Sequence, residues 1–143
     1  MRKIMLEIIK KIFIRTIRKI PEKKILIIEN RFHSLEFLNR VLSGKYIVLI
    51  AQDKDEGLNK AQSDKPDLII LNSKLNKERT LRLFVSLRNI DEMKNTPVLI
   101  IAEKEDDSNV AEFYVQKIEG FIFEPYSKKE ILGQIQLAFN DRK

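Results

Sequence analysis

An α/β fold built on a parallel sheet is predicted by three observations. From residue 25 onward, short apolar runs alternate with helical patterns. The runs are continuous, as in Leu68-Ile69-Ile70-Leu71 between Asp67 and Asn72, and in Val98–Ala102 after Pro97. Such runs mark strands buried on both faces, which requires helices on both sides of the sheet. Helix-start signals also follow the strand-like runs, as with Asp53 and Glu56 or Ser127 and Glu130. In sheets of this kind, ligands and chemistry lie just beyond the carboxyl ends of the strands. Asn72 therefore stands where a functional side chain would stand.

Taken in order, residues 1–20 (MRKIMLEIIKKIFIRTIRKI) precede the first proline, Pro21, and hold no glycine. At about 100° per residue, Met5, Leu6, Ile9, Ile12, Phe13, Ile17 and Ile20 share one face. Lys3, Lys10, Lys11, Arg15 and Arg18 gather mostly on the other with Glu7, and Ile4 and Ile14 interrupt them. Arg2 and Lys19 interrupt the apolar face. This is an amphipathic helix, too interrupted for a membrane span and without a signal-peptide cleavage pattern. Pro21–Lys24 is a joint. A strand over Ile25–Ile28 ends at Glu29-Asn30, with Asn30 placed to cap the next helix. Phe32–Leu42 has helical period, with Gly44 as its stop. A strand over Tyr46–Ala51 precedes a helix from Asp53 to about Ser63. Asp67–Leu71 is the third strand and residues 76–89 the next helix. Val98–Ala102 is the fourth strand. A shorter helix runs from Asp106 or Asp107 to Gln116, and Gly120–Phe123 is the last strand. The final helix is Lys128–Asn140, capped by Ser127 and Glu130.

Strands and helices alternating in this way predict a doubly wound sheet, because parallel crossovers are right-handed. Five strands point to the flavodoxin-like order 2-1-3-4-5. The expected organisation is a helical segment, 1–20, and an α/β domain, 23–143.

Composition excludes several functions. There is no cysteine, hence no disulfide framework, thiolate metal site or thiol nucleophile, which fits a reducing cytosol. His33 is the sole histidine, so a histidine metal cluster or a catalytic triad cannot be assembled in one chain. The four glycines form neither a dinucleotide fingerprint nor a P-loop. The net charge of +6 is local. Residues 1–24 hold nine basic and two acidic residues, a net of +7, and the remainder is at −1. A nucleic-acid target for the domain is therefore not expected.

Residues 23–140 resemble a response-regulator receiver domain, the phospho-acceptor module of two-component signalling. The resemblance lies in spacing, with polar positions after the first, third, fourth and fifth strands. It is sharpest in Pro97-Val-Leu-Ile-Ile-Ala and Gly120-Phe-Ile-Phe-Glu-Pro-Tyr-Ser. It implies an acidic pair and an acceptor Asp that hold Mg²⁺, with a hydroxyl residue and a lysine that bind the phosphoryl group. At those positions this sequence has Glu29-Asn30, Asn72, Ala102 and Glu124. Asn72 offers no nucleophilic carboxylate for an acyl phosphate. One carboxylate and two amides make a poor Mg²⁺ site. Glu124 sets negative charge where a phosphate would need a cation. Ala102 has no hydroxyl, and Glu103 after it narrows access. The expectation is a degenerate receiver without metal, cofactor or enzymatic activity.

Two carboxylates at neighbouring strand ends raise each other's pKa unless a cation stands between them. Lys74 is the expected cation, its stem long enough to reach Glu29 or Glu124. Two rival readings are phosphorylation of Ser73, which lacks a neighbouring base, and a sensor for cationic small molecules in the pocket of Glu29, Asn72 and Glu124.

Function then falls to surfaces. The resemblance implies a partner or dimer face carrying Phe113, Tyr114, Lys117, Phe121, Tyr126 and Gln134, with Phe121 at an aromatic switch position, its rotamer fixed here. No output domain is expected after the last helix, so a signal would be read by binding. Three readings of residues 1–20 stay open. The helix pairs with itself or a partner helix through Leu6, Ile9, Phe13, Thr16 and Ile20. It lies on an anionic membrane, with Lys10, Lys11, Arg15 and Arg18 outward and Leu6, Ile9, Phe13 and Ile17 inward. Or it folds back onto the domain. The expected location is cytoplasmic, with or without peripheral membrane contact.

Overall fold

The computed structural model describes residues 2–18, 21–75, 80–104, 113, 116 and 118–140. The described elements are α1 (Arg2–Arg18), β1 (Lys24–Ile28), α2 (Phe32–Leu42), β2 (Ile47–Ala51), α3 (Lys54–Asp64), β3 (Leu68–Asn72), α4 (Thr80–Arg88), a 3₁₀ turn (Asp91–Met93), β4 (Val98–Glu103), β5 (Gly120–Glu124) and α5 (Lys128–Asn140). The strands form one parallel sheet in the order β2-β1-β3-β4-β5. The helix expected over 106–116 lies largely outside the described residues, as do residues 76–79 at the expected start of α4.

The continuous apolar runs behave as predicted. All five residues of β3 are buried. Because successive side chains alternate across the sheet, Ile69 and Leu71 join one core layer with Leu26, Ile28, Ile100, Leu83, Phe84, Leu87 and Phe113. Leu68 and Ile70 join the other, with Ile25, Ile27, Ile101, Leu38, Ile131 and Ile135. Helices α3 and α4 thus cover one face, and α2 and α5 the other. Each fully buried Ile or Leu contributes about 1.5–3 kcal/mol.

The helix starts follow the sequence with one adjustment. Ser127 Oγ accepts the Glu130 amide at 3.1 Å and donates to Glu130 Oε1 at 3.1 Å. Asp53 Oδ1 accepts the Glu56 amide at 2.8 Å, but the Glu56 carboxylate reaches back to the Gln52 amide, one residue outside a standard box. Gly44 follows α2 without a positive φ; the left-handed residue is Lys65 (φ 49°), which ends α3. Gly57 is required by close approach, since a Cβ there would stand 2.8 Å from Ile28 Cδ1.

Helix α1 differs from the others. Met5, Leu6, Ile9 and Phe13 remain more than half exposed, so they are not folded back onto the sheet.

Candidate functional site

The parallel register brings the carboxyl ends of β1, β3, β4 and β5 to one rim. Glu29 follows β1, Asn72 ends β3 opposite Ile101, and Glu103 and Glu124 pair across β4 and β5. Glu29 is fully buried and Asn72 nearly so. Such a carboxylate must be hydrogen-bonded and neutralised in place. Its Oε1 accepts the Asn30 and Arg31 amides at 2.9 and 3.0 Å and Arg31 Nε at 3.2 Å. Its Oε2 accepts Arg31 Nη2 at 3.0 Å and the Asn72 amide nitrogen at 2.5 Å.

Arg31 also holds Glu124. Its Nη1 donates to Glu124 Oε2 at 3.0 Å, and its Nη2 donates to Glu124 Oε1. One planar guanidinium therefore presents the Nε–Nη2 edge to Glu29 and the Nη1–Nη2 edge to Glu124, a geometry available to arginine and not to lysine. Burial acts to raise the Glu29 pKa. The hydrogen bonds from Arg31 and Asn72 outweigh it and hold the carboxyl below its ordinary value. The hydrogen bonds to Glu124, then to Glu29, push the Arg31 pKa up, so it stays charged.

Arg31 is the residue the sequence reading missed. The requirement for a cation was sound, but Lys74 does not supply it. Lys74 Nζ pairs with Glu103 at 2.9 Å, both side chains about half exposed. The available signal was position: Arg31 lies two residues beyond Glu29, with a forked side chain suited to two carboxylates. Asn30 is a second correction. It does not cap α2, whose N-cap is Arg31 without a side-chain bond. Its amide instead donates to the Leu75 carbonyl at 2.5 Å, tying the β1–α2 loop to the β3–α4 loop.

The Asn72 amide is engaged at both ends, giving its N–H to Glu29 and accepting the Lys74 amide at 2.7 Å. Ser73 is buried, with its Oγ unpartnered among the described residues, an unsuitable position for an external phosphoryl donor. Ala102 is buried in β4. A divalent ion does not fit this donor set. Both Glu29 oxygens face N–H donors, and the Arg31 charge lies between Glu29 and Glu124. The same guanidinium already bonds Glu29 and Glu124, the two carboxylates that the cationic-ligand reading invokes. An open cleft of about 540 Å³ borders the clamp, lined by Arg31, Glu103 and Glu124 together with His33, Ser34, Phe37, Pro125 and Tyr126.

The four described partner-face residues do not form one surface. Phe113 is a core residue set edge-on to Phe84, with ring centroids 6.3 Å apart. Phe121 is half-buried on that same side of the sheet and stacks on Phe123 at 5.5 Å. Tyr126 lies on the opposite side, against Phe37 of α2, with its hydroxyl 3.4 Å from Ser34 Oγ. Burial raises the Tyr126 pKa, Glu124 and Glu29 add to the effect, and the Ser34 contact opposes it. Gln134 is half-buried and near Gly120. Tyr114 and Lys117 lie outside the described residues.

Comparison with known proteins gives a consistent picture. Residues 25–136 match the response regulator receiver domain family. Hybrid signal transduction histidine kinase D of Dictyostelium discoideum is 25% identical over 130 residues, 90% of this chain and 8% of that protein. Response regulator ArlR of Staphylococcus aureus is 31% identical over 114 residues, 79% of this chain and 51% of the relative. The chain thus spans about half of ArlR and a small part of the kinase. The chemotaxis response regulator CheY4 of Vibrio cholerae superposes with a TM-score of 0.74 at 22% identity, covering 81% of this chain and 98% of that one, a likeness of fold.

Proposed function

The chain belongs to the response regulator receiver domain family of two-component signalling, and within it we propose a phosphorylation-independent module that works by binding a protein partner or a second copy. One observation carries this reading: Arg31 is clamped between Glu29 and Glu124 while Asn72 donates to Glu29. The acceptor position then offers an amide already bonded at both ends. The ionic balance of the rim is supplied from within the chain, so one conformation persists without metal or phosphate. Phe121, on the edge strand β5, remains a partner-face residue, and Gln134 of α5 lies on the other side of the sheet. The module is not an enzyme in this reading.

Incubation with acetyl phosphate and Mg²⁺, followed by intact mass, tests the proposal. The expected result is no phosphoryl adduct on the wild-type chain. An adduct on any residue would overturn it. A second reading concerns location: the exposed apolar face of α1 and the basic segment around it favour a peripheral contact with an anionic membrane.

A further inference from the structure

Building on the reading of the chain as a binding module, we infer that α1 is a surface anchor for anionic lipid bilayers. The exposed apolar side chains Met5, Leu6, Ile8, Ile9 and Phe13 spread over close to half of the helix circumference at about 100° per residue. That arc is wider than the narrow seam by which two helices pair as a coiled coil, and it suits a helix half-sunk in a lipid interface. The opposite side carries Lys3, Lys10 and Lys11 against Glu7, interrupted by the exposed Ile4 and Ile14, and the exposed Arg2 interrupts the apolar arc at the first turn. Lys10 and Glu7 are only loosely paired, at 3.9 Å and about two-thirds exposed.

Charge selects the occupant. Residues 1–24 hold nine basic and two acidic residues, whereas the rest of the chain is at −1. Two copies of α1 packed through their apolar faces would leave the lysines of both pointing away from the contact, with no opposite charge to meet. A bilayer containing anionic headgroups accepts both halves of the helix, apolar residues among the acyl chains and lysines at the phosphates. No helix among the described residues is long and apolar enough to cross a membrane, so the contact is a surface one.

Flotation of the full chain tests this with vesicles of phosphatidylcholine alone and of equal parts phosphatidylcholine and phosphatidylglycerol. The expected result is flotation with the anionic vesicles only, falling at least about fivefold when salt rises to roughly 0.5 M. Ile9→Glu/Phe13→Glu and Lys10→Glu/Lys11→Glu should each lose flotation. These side chains are exposed, so an unchanged urea midpoint verifies that the sheet is intact. Absence of flotation, equal flotation on neutral vesicles, or full flotation of the lysine variant would each overturn the anchor. A light-scattering mass showing a dimer that Ile9→Glu/Phe13→Glu dissolves, without flotation, would assign the helix to a second copy. Because the intact-mass result depends on the strand-end rim, failure of the anchor leaves that test of the module standing.

Discussion

Arg31 and Lys74 occupy parallel positions. Each lies two residues beyond a buried polar group at a strand end, Glu29 after β1 and Asn72 at the end of β3. Arg31 grips two carboxylates, one of them fully buried. Lys74 meets Glu103 in solvent. The difference teaches that at this rim what matters is the burial of the partner. A charge removed from water must be neutralised in place, whereas a half-exposed pair is screened and contributes little.

Removing Arg31 should break this contrast most severely. Arg31→Ala leaves Glu29 buried without its counter-charge, and the expected loss is about 2–4 kcal/mol, below the fully buried range because Arg31 is itself half exposed. Urea unfolding at neutral pH measures it, and Arg31→Lys should recover only part, since an ammonium cannot bond both carboxylates side-on. The pH dependence sharpens the point. Glu29 has a folded pKa below its ordinary value of 4.5, so its stabilisation is present above that value and is lost as pH falls through the folded pKa. The wild type should therefore lose stability on acidification below about pH 4.5, and Arg31→Ala should lose less, because burial pushes the Glu29 carboxyl up and only the Asn72 and backbone hydrogen bonds remain to oppose it. Equal acid sensitivity of the two proteins would contradict the clamp.

Asn72→Asp comes next. It sets a second carboxylate against Glu29 within hydrogen-bond distance, so the introduced carboxyl should titrate high, at a cost of about 1–3 kcal/mol at neutral pH. That deficit is fully present above the raised folded pKa and shrinks as pH falls toward the unfolded value. The urea midpoints of variant and wild type should lie apart at pH 7 and closer together at pH 5. Lys74→Ala is the smallest, within about 0.5–1 kcal/mol by the same assay. A loss as large as that of Arg31→Ala would make the two positions equivalent.

The fold was readable because its signals are local and agree with one another. Leu68–Leu71 is apolar without interruption, since β3 is covered on both sides, and Ser127 with Glu130 marks the start of α5. The convergence of Glu29, Asn72 and Glu124 was also readable, since strand ends in a parallel sheet share one rim. What escaped depended on contacts distant in sequence. Asn30 looks like a helix cap until the Leu75 carbonyl, 45 residues away, is beside it. Phe113 looks the same in sequence whether it meets a partner or Phe84. Lys74 has the reach, yet the direction of a side chain follows the loop backbone. The extended Arg31 backbone (φ −86°, ψ 121°) leaves its guanidinium lying between the two carboxylates.

The central claim is that Arg31 stands where the family's resemblance implies a divalent ion. The side-chain carboxyl ¹³C signal of Glu29, followed while Mg²⁺ is added to the wild-type chain, tests it most directly. The account predicts a signal that stays in place through millimolar Mg²⁺, with the Arg31 Nε–H resonance still hydrogen-bonded. A saturable shift of Glu29 accompanied by loss of that Arg31 bond would contradict it.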